Sequence, residues 1–263
     1  MIVFSAFCPH TPVLVPSVGK ENLEKIKKTA DSYRILEQRF CSSKPDVAVV
    51  ISPHGTVYDD TFSINLCDKY IGDFEEFGDF ATRVEFPSDY LLIDRIQRHM
   101  RDEKVAVTLD TCEKLDHGSV VPLFFLTENY KNVHVVPISS SGLDLKTHFE
   151  FGQELKELIL DTNKRVAIIA SGDLSHALST EAPAGFSEYG QQFDDKLQEL
   201  LSNNDVESLV GLNDAMIEGA HECGLSSLII LLGMLDGMKY KPEILSYEAP
   251  FGVGYLTCNF QLS

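Results

Sequence analysis

Two stretches of the chain, Val47-Ala48-Val49-Val50-Ile51 and Val166-Ala167-Ile168-Ile169-Ala170, are apolar at every position and rich in β-branched residues. A strand with one wet face alternates apolar and polar residues. A short run with no polar position reads instead as a strand buried on both faces, the habit of parallel strands in α/β folds. Ile2–Phe7 reads as a third strand. Each run stops at small or turn-forming residues and is followed by a histidine: Cys8-Pro9-His10, Ser52-Pro53-His54, and Ser171-Gly172-Asp173-Leu174-Ser175-His176. Loops at the carboxyl ends of parallel strands form the ligand-binding edge of an open α/β sheet. Three strands thus bring three histidines to one edge of an α/β fold.

The stretches between these runs fit that frame. Apolar residues at Leu23, Ile26, Ala30, Tyr33, Leu36 and Phe40 recur at helical spacing over Lys20–Ser42, and Pro45 ends the helix. The opening is therefore a β-loop-α-β unit, which favours parallel strands. Asp68–Thr82 is acidic, carries Gly72 and Gly78, and reads as a loop or short hairpin overhanging a site. Ser88 is placed to cap a helix over Asp89–Arg101, and Ser119 to open a buried helix over Val120–Leu126. Leu145–Thr162 is amphipathic, and Leu225–Leu235 is an apolar core helix. Pro242–Tyr247 and Val253–Leu262 flank Pro250-Phe251-Gly252 and predict a closing hairpin. No repeat, low-complexity tract or linker interrupts the 263 residues, so residues 1–263 are expected to form one domain.

Charge narrows the partners. The formal net charge is −18. Phosphate backbones and anionic bilayers are bound by Lys and Arg, so neither nucleic acid nor a membrane surface is an expected partner. No apolar run approaches the roughly 20 residues of a membrane span, and Met1-Ile2-Val3-Phe4 lacks the basic start of a signal peptide. The expected location is the cytoplasm. Six scattered cysteines with no C-x-x-C pair fit a reducing compartment.

His10, His54, His117 and His176 each lie in a small-residue or Pro/Gly segment. His99, His134 and His148 read as structural, the last on a polar helix face. Histidine is both the commonest transition-metal ligand and the commonest acid/base near neutral pH. A cluster of them on one edge points to a metal site with a proton shuttle. An open oxygen-activating site combines two histidines with a carboxylate. Asp116, Asp173, Glu222 and Glu248 are the candidates. Glu222, at the start of the apolar helix, is the most suggestive, although a carboxylate there also suits the helix dipole. Its neighbour Cys223 is a soft donor suited to zinc or copper. His221 and Glu222 are adjacent and point in different directions.

These motifs, with Asp116-His117-Gly118, Val121-Pro122-Leu123 and Ser246-Tyr247-Glu248-Ala249-Pro250-Phe251-Gly252-Val253-Gly254-Tyr255, resemble in order and spacing those of one superfamily. It comprises the class III extradiol ring-cleavage dioxygenases of LigB type and the related Memo-like proteins. The resemblance covers nearly the whole chain. It implies one α/β domain with a central, mostly parallel mixed sheet and helices on both sides. It implies His10, His54 and Glu222 as ligands of non-haem Fe(II), His176 as general acid/base, and His117 as a contact to substrate or oxygen. The implied activity is extradiol opening of a catechol-type aromatic ring with O2. Relatives commonly assemble, so a homo-oligomer is possible. The Memo-like branch implies an alternative, with Cys223 as third ligand in a softer metal-binding or interaction protein without ring cleavage. A zinc hydrolase at the same residues is a third reading.

Overall fold

A computed structural model describes all 263 residues. The chain opens with β1 (Ile2–Cys8), a 3-10 turn at Pro12–Leu14, the single turn α1 (Pro16–Gly19) and a 3-10 stretch, Lys20–Ile26, that leads into α2 (Lys27–Ser43). Next come β2 (Val47–Ser52), β3 (Phe62–Asn65), β4 (Lys69–Phe74), β5 (Asp79–Pro87), α3 (Tyr90–Asp102), β6 (Val107–Asp110) and α4 (His117–Leu126). The second half runs β7 (His134–Ser139), α5 (Leu145–Leu160), β8 (Val166–Ser171), α6 (Glu188–Ser202), α7 (Val206–Val210) and α8 (Asp214–Ala220). It closes with α9 (Leu225–Met234), β9 (Tyr240–Glu248) and β10 (Tyr255–Leu262).

Eight strands form one mixed sheet in the order β6-β3-β7-β2-β8-β1-β10-β9. The central four, β7, β2, β8 and β1, are mutually parallel. β3 is antiparallel to β7, and β10 and β9 run antiparallel at the other side as the expected hairpin. The all-apolar runs occupy the centre. Val47, Val49, Ile51, Val166 and Ile168 enter one hydrophobic core with Leu155, Leu197 and Leu228 of the helices on that face. Ala48, Val50, Ala167 and Ile169 enter a second core with Leu36 of α2 and Leu123 of α4. Period-two alternation thus sends successive side chains into two apolar layers. Each fully buried Ile, Leu or Val contributes about 1.5–3 kcal/mol, which explains why these runs tolerate no polar position.

Several boundaries differ from the sequence reading. Lys20 has a φ of 48°, so the expected helix from Lys20 is broken and α2 begins at Lys27. Asp89, not Ser88, caps α3, its carboxylate accepting the Leu92 N–H at 3.2 Å. Asp116, not Ser119, caps α4 by accepting the Ser119 N–H at 3.0 Å, which puts His117 on the first helical turn. His148 is fully buried, not on a polar face: its Nε2 accepts the Ser141 N–H at 3.2 Å. His99 is tied to Glu154 at 2.9 Å. The acidic segment is a hairpin of β4 and β5, as one of the two expected forms. No helix is long and apolar enough to cross a membrane.

Candidate metal centre

The register of the central strands sets the site. β8 lies between β1 and β2, with Ser171 opposite Cys8 and Ala170 opposite Ile51. The segments carrying His10, His54 and His176 therefore leave the sheet side by side. From the far side of the sequence, the turn before α9 meets the β8 loop backbone to backbone. A Cβ on Gly172 would fall 2.0 Å from Gly224 Cα, so only glycine allows this approach. The contact brings Cys223 to the histidines, with its N–H donating to the Asp173 carbonyl at 3.3 Å.

His10 Nε2 lies 3.0 Å from His54 Nε2 and 3.5 Å from Cys223 Sγ. The three donor atoms are all within 4.8 Å of one another. Tetrahedral bonds of about 2.0–2.1 Å to nitrogen and 2.3 Å to sulfur would set N···N near 3.4 Å and N···S near 3.5 Å. The donor set fits one metal ion with small adjustment.

The tautomer of His10 is fixed by its neighbours. Ser171 Oγ donates to the Gly118 carbonyl, so it accepts at His10 Nδ1, 3.0 Å away. The ring therefore carries its proton on Nδ1 and points a lone pair from Nε2 at His54 and Cys223. The His54 backbone is held in turn: its N–H donates to Ser52 Oγ at 3.1 Å, and Ser52 donates to Asp116. Both nitrogen donors thus hang from the first turn of α4, one through Gly118 and one through Asp116.

The electrostatics keep the donors neutral. Burial, with His54, His117 and His176 as cationic neighbours if charged, holds His10 well below the usual histidine range. Burial and His117 bring His54 down to about 4, against an opposing pull from Asp116. Burial, then Asp173, pushes the Cys223 thiol well above its ordinary value. A bound dication reverses that balance and deprotonates a coordinating thiol.

The other expected residues divide. His117 stacks on His54 with ring centroids 4.4 Å apart and meets His10 edge-on at 5.2 Å. Phe77, in the turn of the β4–β5 hairpin, packs edge-on against His117 at 5.5 Å, so the hairpin does overhang the site. His176 belongs to the same cluster, since its charge would depress both His10 and His54. Its Nδ1 is buried without a hydrogen-bond partner. Burial lowers its pKa; the Leu174 and His221 carbonyls favour the charged ring but neither meets hydrogen-bond geometry with Nδ1.

Glu222 is turned elsewhere. Its Oε2 accepts the Leu225 N–H at 2.6 Å, and burial raises its carboxyl to about 7. Gly224, the residue at the cap of α9, has no side chain to satisfy those N–H groups, and Glu222 does so instead. Glu222 and Cys223 are adjacent and cannot face the same way; the cysteine faces the histidines. Glu248 accepts from the Thr29 N–H and hydroxyl, both at 2.7 Å, and anchors α2. Asp173 is the only carboxylate within 4 Å of a His10 or His54 ring nitrogen, at 3.8 Å from His10 Nε2. Its other oxygen accepts the His10 N–H at 3.0 Å, and burial raises its pKa to about 7. The supporting roles of Ser52 and Ser171 escaped the sequence reading, although each is the strand-final serine before a histidine loop.

Beside His54 opens a cavity of about 350 Å³. Thr56, Asp110, Asp116, Ser139, Glu76 and Lys114 are among its lining residues.

The Clostridium acetobutylicum protein CA_C1420 is 34% identical over 256 residues, covering 94% of this chain and 55% of its own length. A protein of Mycolicibacterium gilvum named 2,3-dihydroxyphenylpropionate/2,3-dihydroxicinnamic acid 1,2-dioxygenase is 28% identical over 191 residues, 66% of this chain and 58% of its own. The Escherichia coli 3,4-dihydroxyphenylacetate 2,3-dioxygenase is 28% identical over 238 residues, covering 84% and 85%. The chain thus spans little more than half the length of the first two. Among solved structures, the uncharacterized protein JW3007 of Escherichia coli superposes with a TM-score of 0.68 over 98% of this chain and 99% of its own, at 18% identity, a likeness of fold. Residues 5–257 match the family described as the catalytic LigB subunit of aromatic ring-opening dioxygenase, and the chain belongs to that LigB family.

Proposed function

We propose that the chain is a metal-dependent oxidoreductase that opens a catechol-type aromatic ring extradiol with O2. His10 and His54 serve as the nitrogen ligands and Cys223 as the third donor. The observation that carries this reading is the convergence of neutral His10, His54 and Cys223 beside a further histidine, His176, whose buried Nδ1 has no partner. The family and the names of the dioxygenase relatives support it. When bound, Fe(II) would supply coordination sites for the two ring hydroxyls and for oxygen.

The chain's own residues do the rest. Ser171 holds the His10 lone pair toward the metal position. His176, neutral near pH 7, takes a phenolic proton from the bound diol and later returns it, as a general acid/base. His117, stacked on His54 under Phe77, borders the substrate and orients it. The cavity beside His54 is of a size to admit one substituted ring.

One observation favours a second reading. A thiol rather than a carboxylate stands with the two histidines, and such a set prefers zinc or copper(I). In that case the protein is a softer metal-binding protein without ring cleavage. The test is metal analysis after anaerobic purification, followed by oxygen uptake with a panel of catechols. Iron, with uptake that His176→Ala abolishes while metal is retained, supports ring opening. Zinc or copper that leaves in Cys223→Ser, with no uptake after Fe(II) loading, supports the second reading.

A further inference from the structure

The cavity beside His54 has a charge character that bears on its ligand. Most of its lining residues are polar: Thr56, Ser63, Asn65 and Ser139 contribute hydroxyl and amide groups beside Leu115, Pro137 and Ile138. Three carboxylates, Glu76, Asp110 and Asp116, stand against one ammonium, Lys114. That ammonium is already engaged, with Nζ 2.9 Å from Asp73 and 3.9 Å from Glu76. Lys114 is therefore not free to recognise an incoming carboxylate. Asp110 accepts from the Thr56 hydroxyl and from the Thr111 N–H at 2.7 Å, contacts that hold the carboxylate in place. Asp116 is fixed by Ser52 and Ser119. A fixed negative field in a partly enclosed space repels anions and concentrates cations, and the chain's net charge of −18 adds to the effect at long range.

We infer that the cavity selects a substrate whose ring substituent is a cation, such as an alkylammonium, and rejects the carboxylate-bearing catechols. The inference rests on the reading of His10, His54 and Cys223 as a catechol-binding metal centre. It sets this chain apart from relatives whose names specify dihydroxyphenylacetate and dihydroxyphenylpropionate. In the bound state the ring hydroxyls face the metal position, and the substituent extends past His54 toward Asp110 and Glu76. A single extra like charge a few ångströms away weakens binding by about tenfold at an effective dielectric between those of protein and water.

Three ligands that share a ring separate the charge effect from everything else: 3,4-dihydroxyphenethylamine, 4-methylcatechol and 3,4-dihydroxyphenylacetate. Calorimetric titration of the full-length, metal-loaded protein should give the amine about tenfold tighter binding than methylcatechol, and the acetate weaker binding than either. Asp110→Asn and Glu76→Gln should each narrow the amine-to-acetate ratio several-fold. Glu76 is exposed, so its variant folds even if the Asp110 variant does not. Equal or tighter binding of the acetate overturns the inference, as does a ratio unchanged in both variants. If none of the three binds, the catechol-site reading falls and the inference with it. If the amine binds selectively but no oxygen is consumed, charge selection stands and only ring opening fails.

Discussion

The hydroxyl of Ser171 stands 3.0 Å from Nδ1 of His10 and leaves that ring one place for its proton. Because Ser171 donates onward to the Gly118 carbonyl, it offers His10 only a lone pair. Ser171→Ala removes the constraint while leaving all three donors in place. Metal affinity should fall about 10–100-fold, the usual cost of losing an outer partner of a ligating histidine. Competition with a chromophoric chelator measures it. Affinity equal to that of the unaltered protein would show that Ser171 merely packs against the ring.

The division of labour between Glu222 and Cys223 is equally open to test. Cys223→Ser should abolish stoichiometric zinc or copper(I) binding, since it removes the soft donor 3.5 Å from His10 Nε2. Glu222→Gln keeps an oxygen for the Leu225 N–H, so it should retain the metal and lose no more than about 1 kcal/mol, the scale of a weakened helix cap. Elemental analysis and urea unfolding of both variants decide the matter. Loss of metal in the Gln variant, with the Ser variant still loaded, would return the third ligand to Glu222.

Asp194 gives the fold a pH dependence of its own. Its carboxylate accepts the Ser175 N–H at 2.9 Å and the Tyr247 hydroxyl at 2.6 Å, and burial raises its pKa from 3.8 to about 7. The folded state holds this proton more tightly than the unfolded chain does. The contribution is fully present below about pH 4 and is lost as pH rises through about 7. Asp194→Asn should therefore flatten part of the decline in urea midpoint between pH 5 and pH 8. A remaining slope is expected, because Asp173 and Glu222 are raised to about 7 as well. An unchanged slope would mean that Asp194 is ionised across this range.

Gly172 and Gly224 touch with no room for a side chain. Gly172→Ala should push the turn before α9 off the β8 loop, separating Asp173 from Cys223. The expected result is a cost of at least about 1–3 kcal/mol, as for overpacking in a filled interior, together with loss of metal. Gly185→Ala is a control for a different effect. Nothing lies near its absent Cβ, but its φ of 77° makes it a test of backbone strain alone. Thermal melts with and without added metal separate the two.

The centre of the sheet is legible in the sequence because the physics there is one-dimensional. Val47–Ile51 and Val166–Ala170 are apolar on both faces of the sheet, and their shortness, β-branched content and flanking turn residues separate them from the apolar helical run Leu228–Leu232. His10, His54 and His176 follow directly, since a strand end fixes where the next loop starts. The third donor is harder to read. Whether Glu222 or Cys223 faces the histidines depends on which of them satisfies the N–H groups of α9, and on a glycine contact between segments about fifty residues apart. Caps shifted by one or three residues for a related reason: Asp89 and Asp116 outcompete the serines near them through geometry that only the folded backbone shows. His148 lies on the buried face of α5, three and seven residues before Phe151 and Leu155, so only its own polarity, not that of its face, points to solvent.

The three donors come from positions 10, 54 and 223, and the pair that meets at 3.5 Å is separated by 213 residues. During synthesis a ribosome releases His10 and His54 long before Cys223 exists. Only after α9 has followed does the turn bearing Cys223 have a helix to anchor it. Nascent chains therefore hold two nitrogen donors with no sulfur partner until residue 223 has emerged. In the proposed site, metal loading becomes a report on folding: a chain that holds its ion through all three donors has already brought residues 10, 54 and 223 together across the sheet.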